Sequence, residues 1–193
     1  MRCEGGIPMK AKKRIGTISV ILVLACAVVA LYWYIDRSGK EAEEPVNVVA
    51  KQILEKDLEK DYPPTPHAVA ELYCGIVENI YSDKTTEKQL EELVRMELFL
   101  YDEELAAQNP YATYLNTVKD DLEVAKEKGI AFTGYIVDNF SNVKRWKKNG
   151  REYASIRIQF LLRGEDGSGA SYRELTLRKD AEGDYKILGL IML

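Results

Sequence analysis

EYASIRIQFLLR, Glu152 to Arg163, alternates apolar and polar side chains with a period of two. Ala154, Ile156, Ile158, Phe160 and Leu162 fall on one side, and Tyr153, Ser155, Arg157, Gln159 and Arg163 on the other. Successive side chains of a strand point to opposite faces, so this stretch reads as a strand with one buried face. Leaving the apolar set in water would forgo about 25 cal/mol per Å2, so it is expected to point at whatever covers the sheet. Turn chemistry supplies the neighbours. Asn149-Gly150 suits a tight hairpin, GEDGSG at 164–169 a looser connection, and DAEGD at 180–184 a third. Strands are therefore predicted near 132–140, 142–148, 152–163, 171–179 and 185–191, as an antiparallel meander.

Before Gly129 the periodicity is helical. Val46, Val49, Ile53 and Leu54 keep one face toward a stop near Asp61-Tyr62-Pro63-Pro64. Thr65 is suited to cap a helix whose first position is Pro66, after which Val69, Leu72, Tyr73, Ile76, Val77 and Ile80 recur at helical spacing. A third helix is predicted from Thr86, with Leu90, Leu93 and Val94 on its stripe, continuing or breaking near Leu98 toward Ala107. Asn109-Pro110 opens a fourth, carrying Tyr111, Tyr114, Leu115, Val118 and Leu122, which Gly129 stops. Helices followed by a meander predict an α+β domain over 46–193, with helices packed on one face of a curved antiparallel sheet.

The capped helix TPHAVAELYCGIVENIYS (65–82), then REYASIRIQFLL (151–162), then YRELTLRKDAEGDYKILGL (172–190) resemble the nuclear-transport-factor-two-like, or SnoaL-like, cone fold. The closing pattern is the most specific part: Leu177-Arg178-Lys179-Asp180, the Gly183 turn, and Tyr185-Lys186-Ile187-Leu188-Gly189. The plan is also similar to small single-pass bacterial proteins of unknown function. The resemblance implies a cone whose cavity lies between sheet and helices, with Tyr135, Phe160, Leu175, Leu177 and Tyr185 as pocket wall. It also implies that two copies associate. The extra helices at the front depart from the family pattern.

Residues 15–35 are uncharged and largely apolar, bounded by Lys10, Lys12, Lys13 and Arg14 before and Asp36-Arg37 after. About 20 such residues at ~1.5 Å each cross a ~30 Å hydrocarbon core. A secretory signal has a shorter apolar run and small residues at a cleavage site, whereas this one ends in Tyr32-Trp33-Tyr34, rings that favour the membrane interface. Val23-Leu24-Ala25-Cys26 resembles a lipobox, but apolar sequence continues for nine residues after Cys26. The expectation is a retained transmembrane helix over 15–35. The basic residues 1–14 would then be cytoplasmic, 36–45 (DRSGKEAEEP) a tether, and 46–193 extracytoplasmic on a single-pass protein of the cell membrane. Glu4-Gly5-Gly6 can be encoded by a purine run of the kind bacterial ribosomes bind, so translation is expected to begin at Met9.

From Asp36 onward the chain carries 22 basic and 30 acidic residues, a formal charge of −8, which disfavours nucleic acid as a partner. Cys74 is the only cysteine beyond the anchor and reads as core. The single histidine, His67, stands in the first turn of a helix and is expected to face solvent. No His/Cys cluster has metal-ligand spacing, no nucleophile-elbow, Walker or dinucleotide glycine pattern occurs, and no cofactor is implied. Adjacent acids such as Glu91-Glu92, Glu103-Glu104 and Asp120-Asp121 diverge by about 100° on a helix and read as solvated faces.

One charged feature stands apart. Lys144, Arg145, Lys147, Lys148 and Arg151 gather around Trp146 and the Asn149-Gly150 turn. Such a tip is suited to contact an anionic surface, although lysines also serve simply to guard a sheet edge. The expected function is a non-catalytic, membrane-tethered domain that binds a protein partner or small ligand outside the cell, as an accessory to an envelope complex. The alternative is a cone-fold enzyme of isomerase or dehydratase type. A buried carboxylate paired with Tyr or His at the base of the cone would favour that alternative.

Overall fold

The first four described helices each start where a side chain relieves an unpaired backbone donor. In the computed structural model, which describes residues 47–193 apart from Asp166, Asn47 caps α1 (Val48–Leu54) by accepting from the amides of Val49 and Ala50. Thr65 caps α2 (Pro66–Ile80) through the Ala68 amide, with proline at the first position. Thr86 and Gln89 form a reciprocal capping box on α3 (Glu87–Phe99). Asp102 caps the short α4 (Glu103–Gln108), and α5 (Tyr111–Glu127) follows Pro110 and gives way to Gly129 at φ 59°. The predicted cytoplasmic residues 1–14, anchor 15–35 and tether 36–45 lie outside the described residues. Among the described residues no helix is long and apolar enough to cross a membrane.

The strands are β1 (Ala131–Val137), β2 (Lys144–Lys148), β3 (Arg151–Gly164), β4 (Gly167–Lys179) and β5 (Tyr185–Met192). They form one curved antiparallel sheet in the order β1, β3, β4, β5. β2 pairs with the first part of β3, and β1 with the rest. Both residues of the β2–β3 turn, Asn149 and Gly150, have positive φ (53° and 77°), as a tight mirror-image hairpin turn requires. α2 packs on β1 and β3, with α1 and α3 beside it.

Fold class and strand number agree with the sequence reading, and three local expectations do not. The first helix ends at Leu54 and not near Asp61, so 55–64 is a connection. β1 stops at Val137, where Asn139 accepts from the Ser141 amide and starts a one-turn 3-10 helix (Phe140–Asn142). GEDGSG is mostly strand, because the β3–β4 ladder continues to Gly164–Gly167. Of the two courses expected near Leu98, α3 takes the break, at Leu100, where the backbone leaves to pair with the sheet. Ile187 N donates to Leu100 O, and Asp102 N to Ile187 O, both at 2.8 Å, a one-residue parallel addition beside β5.

Ala154, Ile156, Ile158 and Phe160 are buried on the inner face, with Leu175, Leu177 and Ile187 alongside and Leu162 packed at their margin. Ser155 was expected outside but is buried. It is a small side chain on a central strand, between Lys144 and Thr176 in register.

A polar knot closes the other end of the core. Asn47 Nδ2 donates to Asn79 Oδ1 (2.9 Å) and to Thr85 Oγ1 (3.1 Å), while Gln89 Nε2 donates to Asn47 O (3.0 Å). Asn79 Nδ2 reaches back to Gly75 O at 2.8 Å, and Thr85 Oγ1 donates to Asn79 O at 2.6 Å. Asn47, Asn79 and Gln89 are all buried, and these mutual bonds offset the cost of withdrawing them from water.

Candidate functional site

Pairing across the hairpin puts Trp146 opposite Tyr153, and their rings stack with centroids 5.6 Å apart and planes 10° from parallel. Every residue of β2 is exposed. Lys147 pairs with Glu152 at 2.9 Å, which holds the lysine above and the glutamate below its ordinary pKa, chiefly through that hydrogen bond. Arg145 lies over the Phe140 ring, 5.3 Å from its centroid. Lys144, Lys148 and Arg151 have no acidic partner among the described residues. Between Trp146, Tyr153 and Tyr185 opens a notch of about 300 Å3, rimmed by Arg145, Lys147 and Glu152. Thus all six candidate interaction residues belong to one hairpin, and Tyr185, counted from sequence with the pocket wall, borders the same surface.

The other pocket-wall candidates are placed differently. Phe160, Leu175 and Leu177 are fully buried in the core, and Tyr135, half-buried, pairs with Phe160 in register and approaches α2 at Gly75. A separate groove of about 850 Å3 runs along Asp102, Glu152, Arg178, Lys179, Asp180 and Lys186. Its charges largely engage one another. Arg178 grips both Asp102 oxygens and Glu104, Lys179 meets Glu152 at 3.4 Å, and Lys186 stands over Tyr62.

Inside the fold lies a group that the sequence reading missed. Glu97 is only 3% exposed, and its Oε1 accepts from the hydroxyls of Tyr101 and Tyr114, each at 2.8 Å, the hydroxyls themselves being 3.0 Å apart. Burial pushes the carboxyl above its ordinary value, against the two hydrogen bonds and the charge of Arg173, which pull it down. Burial likewise raises Tyr73, Tyr101 and Tyr114. Arg173 has its Nε enclosed without a partner among the described residues, and its guanidinium lies 5.9 Å from the Phe160 centroid. The signal was present: Leu90, Leu93, Val94 and Glu97 share one helical stripe, so an acid stands where a core residue is due.

Because the fold raises the Glu97 pKa, the folded chain holds that proton more tightly than the unfolded chain. Stability is then greatest below the ordinary value of 4.5 and is lost as pH rises through the folded value. Glu97→Gln keeps an acceptor for both tyrosines and removes the charge. Urea unfolding between about pH 4 and pH 7 is expected to show the wild type losing stability relative to this variant as pH rises. Parallel curves would mean that Glu97 titrates as it would in water.

His67 is half-buried and not solvent-facing: its Nδ1 stands 3.5 Å from Glu71 and its ring lies edge-on to Phe140. Cys74 is fully buried, and burial raises its thiol pKa far from the reactive range. Among the described residues no three His, Cys, Asp or Glu side chains gather to hold a metal ion.

Comparison with known proteins finds no match among curated proteins. One family model, described as a domain of unknown function (DUF6715), matches residues 9–190. That match spans the apolar segment, every helix and all but the last few residues of β5, so the chain belongs to the DUF6715 family.

Proposed function

We propose that the protein is a membrane-tethered, extracytoplasmic binding domain without catalytic activity, and that the β2–β3 hairpin is its docking surface for an envelope protein with an acidic face. The observation that carries this reading is the hairpin itself: four cations and Trp146 on the fully exposed β2, with Arg151 and the stacked Tyr153 beside them on β3, and only Lys147 of the five cations ion-paired among the described residues. Trp, Tyr and Arg are the residue types on which interface energy concentrates. The rest of the extracytoplasmic chain is acidic, so the hairpin reverses the local field and orients an approaching anionic partner. A cone of the SnoaL-like kind serves such a role as a scaffold, and its cavity residues Phe160, Leu175 and Leu177 then act as core.

The test is cross-linking in intact cells followed by recovery of the full-length protein. Lys144→Glu with Lys148→Glu and Arg151→Glu is expected to lower partner recovery about tenfold or more, an effect that weakens with added salt. Recovery unchanged by charge reversal would remove the hairpin from the interface. Unaltered thermal unfolding of the variant would separate lost binding from lost fold.

Glu97 favours a second reading, an isomerase or dehydratase in which a carboxylate with raised pKa acts as general base beside two tyrosines. Its near-complete burial, and the use of one oxygen by both hydroxyls, support a packing role instead. Turnover of a small carbonyl or hydroxy compound that Glu97→Gln abolishes without loss of stability would establish the enzyme.

A further inference from the structure

Among the described residues β2 pairs with β3 alone, so its far side carries unpaired backbone groups. The ladder fixes which ones. Asp138 N, just beyond the end of β1, donates to Arg157 O at 2.9 Å, so the backbone groups of Arg157 face the side of β3 on which β1 and β2 lie. β3 holds its register against both β2 and β4, and alternation along it turns Ser155, Tyr153 and Arg151 to that same side. Their partners Lys144, Trp146 and Lys148 therefore direct their amides and carbonyls to β3. Arg145 and Lys147 point theirs at the free edge, where two donors and two acceptors stand open to another strand.

Side chains alternate in the same way. Lys144, Trp146 and Lys148 share one face with their partners Ser155, Tyr153 and Arg151, and Arg145 and Lys147 lie on the other. Arg145 and Lys147 are engaged there, over the Phe140 ring and with Glu152. On the first face the cations are free: Lys144, Lys148 and Arg151 are exposed and have no acidic partner among the described residues. Between them Trp146, stacked on Tyr153, is still 40% exposed.

Resting on the reading of the hairpin as a docking surface, we propose that the partner adds an extended acidic segment to β2 as a further antiparallel strand, with an acid two positions to either side of an apolar residue. The residues of such a strand opposite Arg145 and Lys147 take up the free backbone groups. Those opposite Lys144, Trp146 and Lys148 form the non-hydrogen-bonded pairs, in which side chains approach most closely. Acid, apolar residue and acid at these places meet cation, indole and cation. Charge selects the occupant. Lysines on an edge turn away neutral or basic strands, and the hairpin of a second copy carries the same cations, whereas an acidic strand pairs them.

The test uses the purified full-length protein in nonionic detergent and a fluorophore-labelled synthetic peptide, Thr-Glu-Thr-Leu-Thr-Glu-Thr, with binding read by fluorescence anisotropy. The peptide is expected to bind the wild type, and Lys144→Glu with Lys148→Glu and Arg151→Glu to abolish binding. N-methylation of the two threonines beside leucine removes the amides that face β2 and should weaken binding about thirtyfold, the loss of two hydrogen bonds. N-methylation of leucine and both glutamates alters amides that face away and should leave binding unchanged. Lys147→Pro deletes an amide of β2 at an edge position where proline is tolerated. It should bind about fivefold more weakly than Lys147→Ala, which loses the same charge, and the methylated peptides carry the test should it fail to fold. No binding, equal binding with either set of amides methylated, or Lys147→Pro binding as tightly as Lys147→Ala would each overturn strand addition. The hairpin would remain a docking surface if charge reversal still lowered partner recovery from cells, and would fall with the proposal if it did not.

Discussion

Arg178→Ala is expected to destabilise the domain by about 3–5 kcal/mol, the effect of removing one partner from a buried ion pair. Arg178 and Asp102 are 5% and 4% exposed. Arg178 Nε donates to Asp102 Oδ2 at 2.9 Å, a second nitrogen grips Oδ1, and the third reaches Glu104 Oε1 at 2.7 Å. Those hydrogen bonds, Asp102 first, raise the guanidinium above its already high pKa, so it stays charged throughout. Truncation leaves Asp102 charged and buried. Asp102 also caps α4 through the Glu104 amide, and its own amide ties the chain to β5 at Ile187. Arg178→Lys keeps the charge but not the two-pronged fork, so it should recover only part of the loss. Glu104 is largely exposed, and Glu104→Ala is expected to cost about 1 kcal/mol or less. Urea unfolding of the three variants checks the order. An Arg178→Ala protein within about 1 kcal/mol of the wild type would show that water replaces the pair.

Phe160→Ala should cost a similar amount, about 3–5 kcal/mol, by leaving a cavity in the centre of the sheet. The Phe160 ring is fully buried and meets Phe132 edge to face at 5.5 Å, and Phe132 in turn stacks on Tyr81 at 4.2 Å. This chain of rings joins the end of α2 to β1 and β3. Its loss is therefore expected to loosen the packing of β1 as well as lower global stability. Amide exchange on the protein checks both: β1 amides should lose protection more than those of β4 and β5. Phe160→Leu, which refills much of the volume, should fall well short of the alanine effect. Equal effects of the two would place the aromatic contacts, not the cavity, at the origin of the loss.

What could be read in advance followed the range of the interactions. Thr65-Pro66, Asn149-Gly150 and the alternation from Ala154 to Phe160 act through neighbours in sequence, and each produced the expected cap, turn or buried face. The break at Leu100 depends on Ile187, and the role of Asp102 on Arg178, partners 76 or more residues away that no local pattern records. Glu97 is intermediate. Its place in an apolar stripe was visible and Tyr101 stands one turn further on, but Tyr114 arrives from another helix. The hairpin cations were legible because they are exposed, where composition alone states the charge.

The buried knot of Asn47, Asn79, Thr85 and Gln89 has a mechanical consequence. Any pull transmitted along the chain from residues before 47 enters the fold at Asn47, whose side chain and carbonyl are fastened to α2, to Thr85 and to α3. The load is shared by several short bonds that must break together, and these bonds run to helices and to Thr85, not to the sheet. Force applied at Asn47 is thus met by a shear clamp, and the strands that carry the hairpin are kept out of its line.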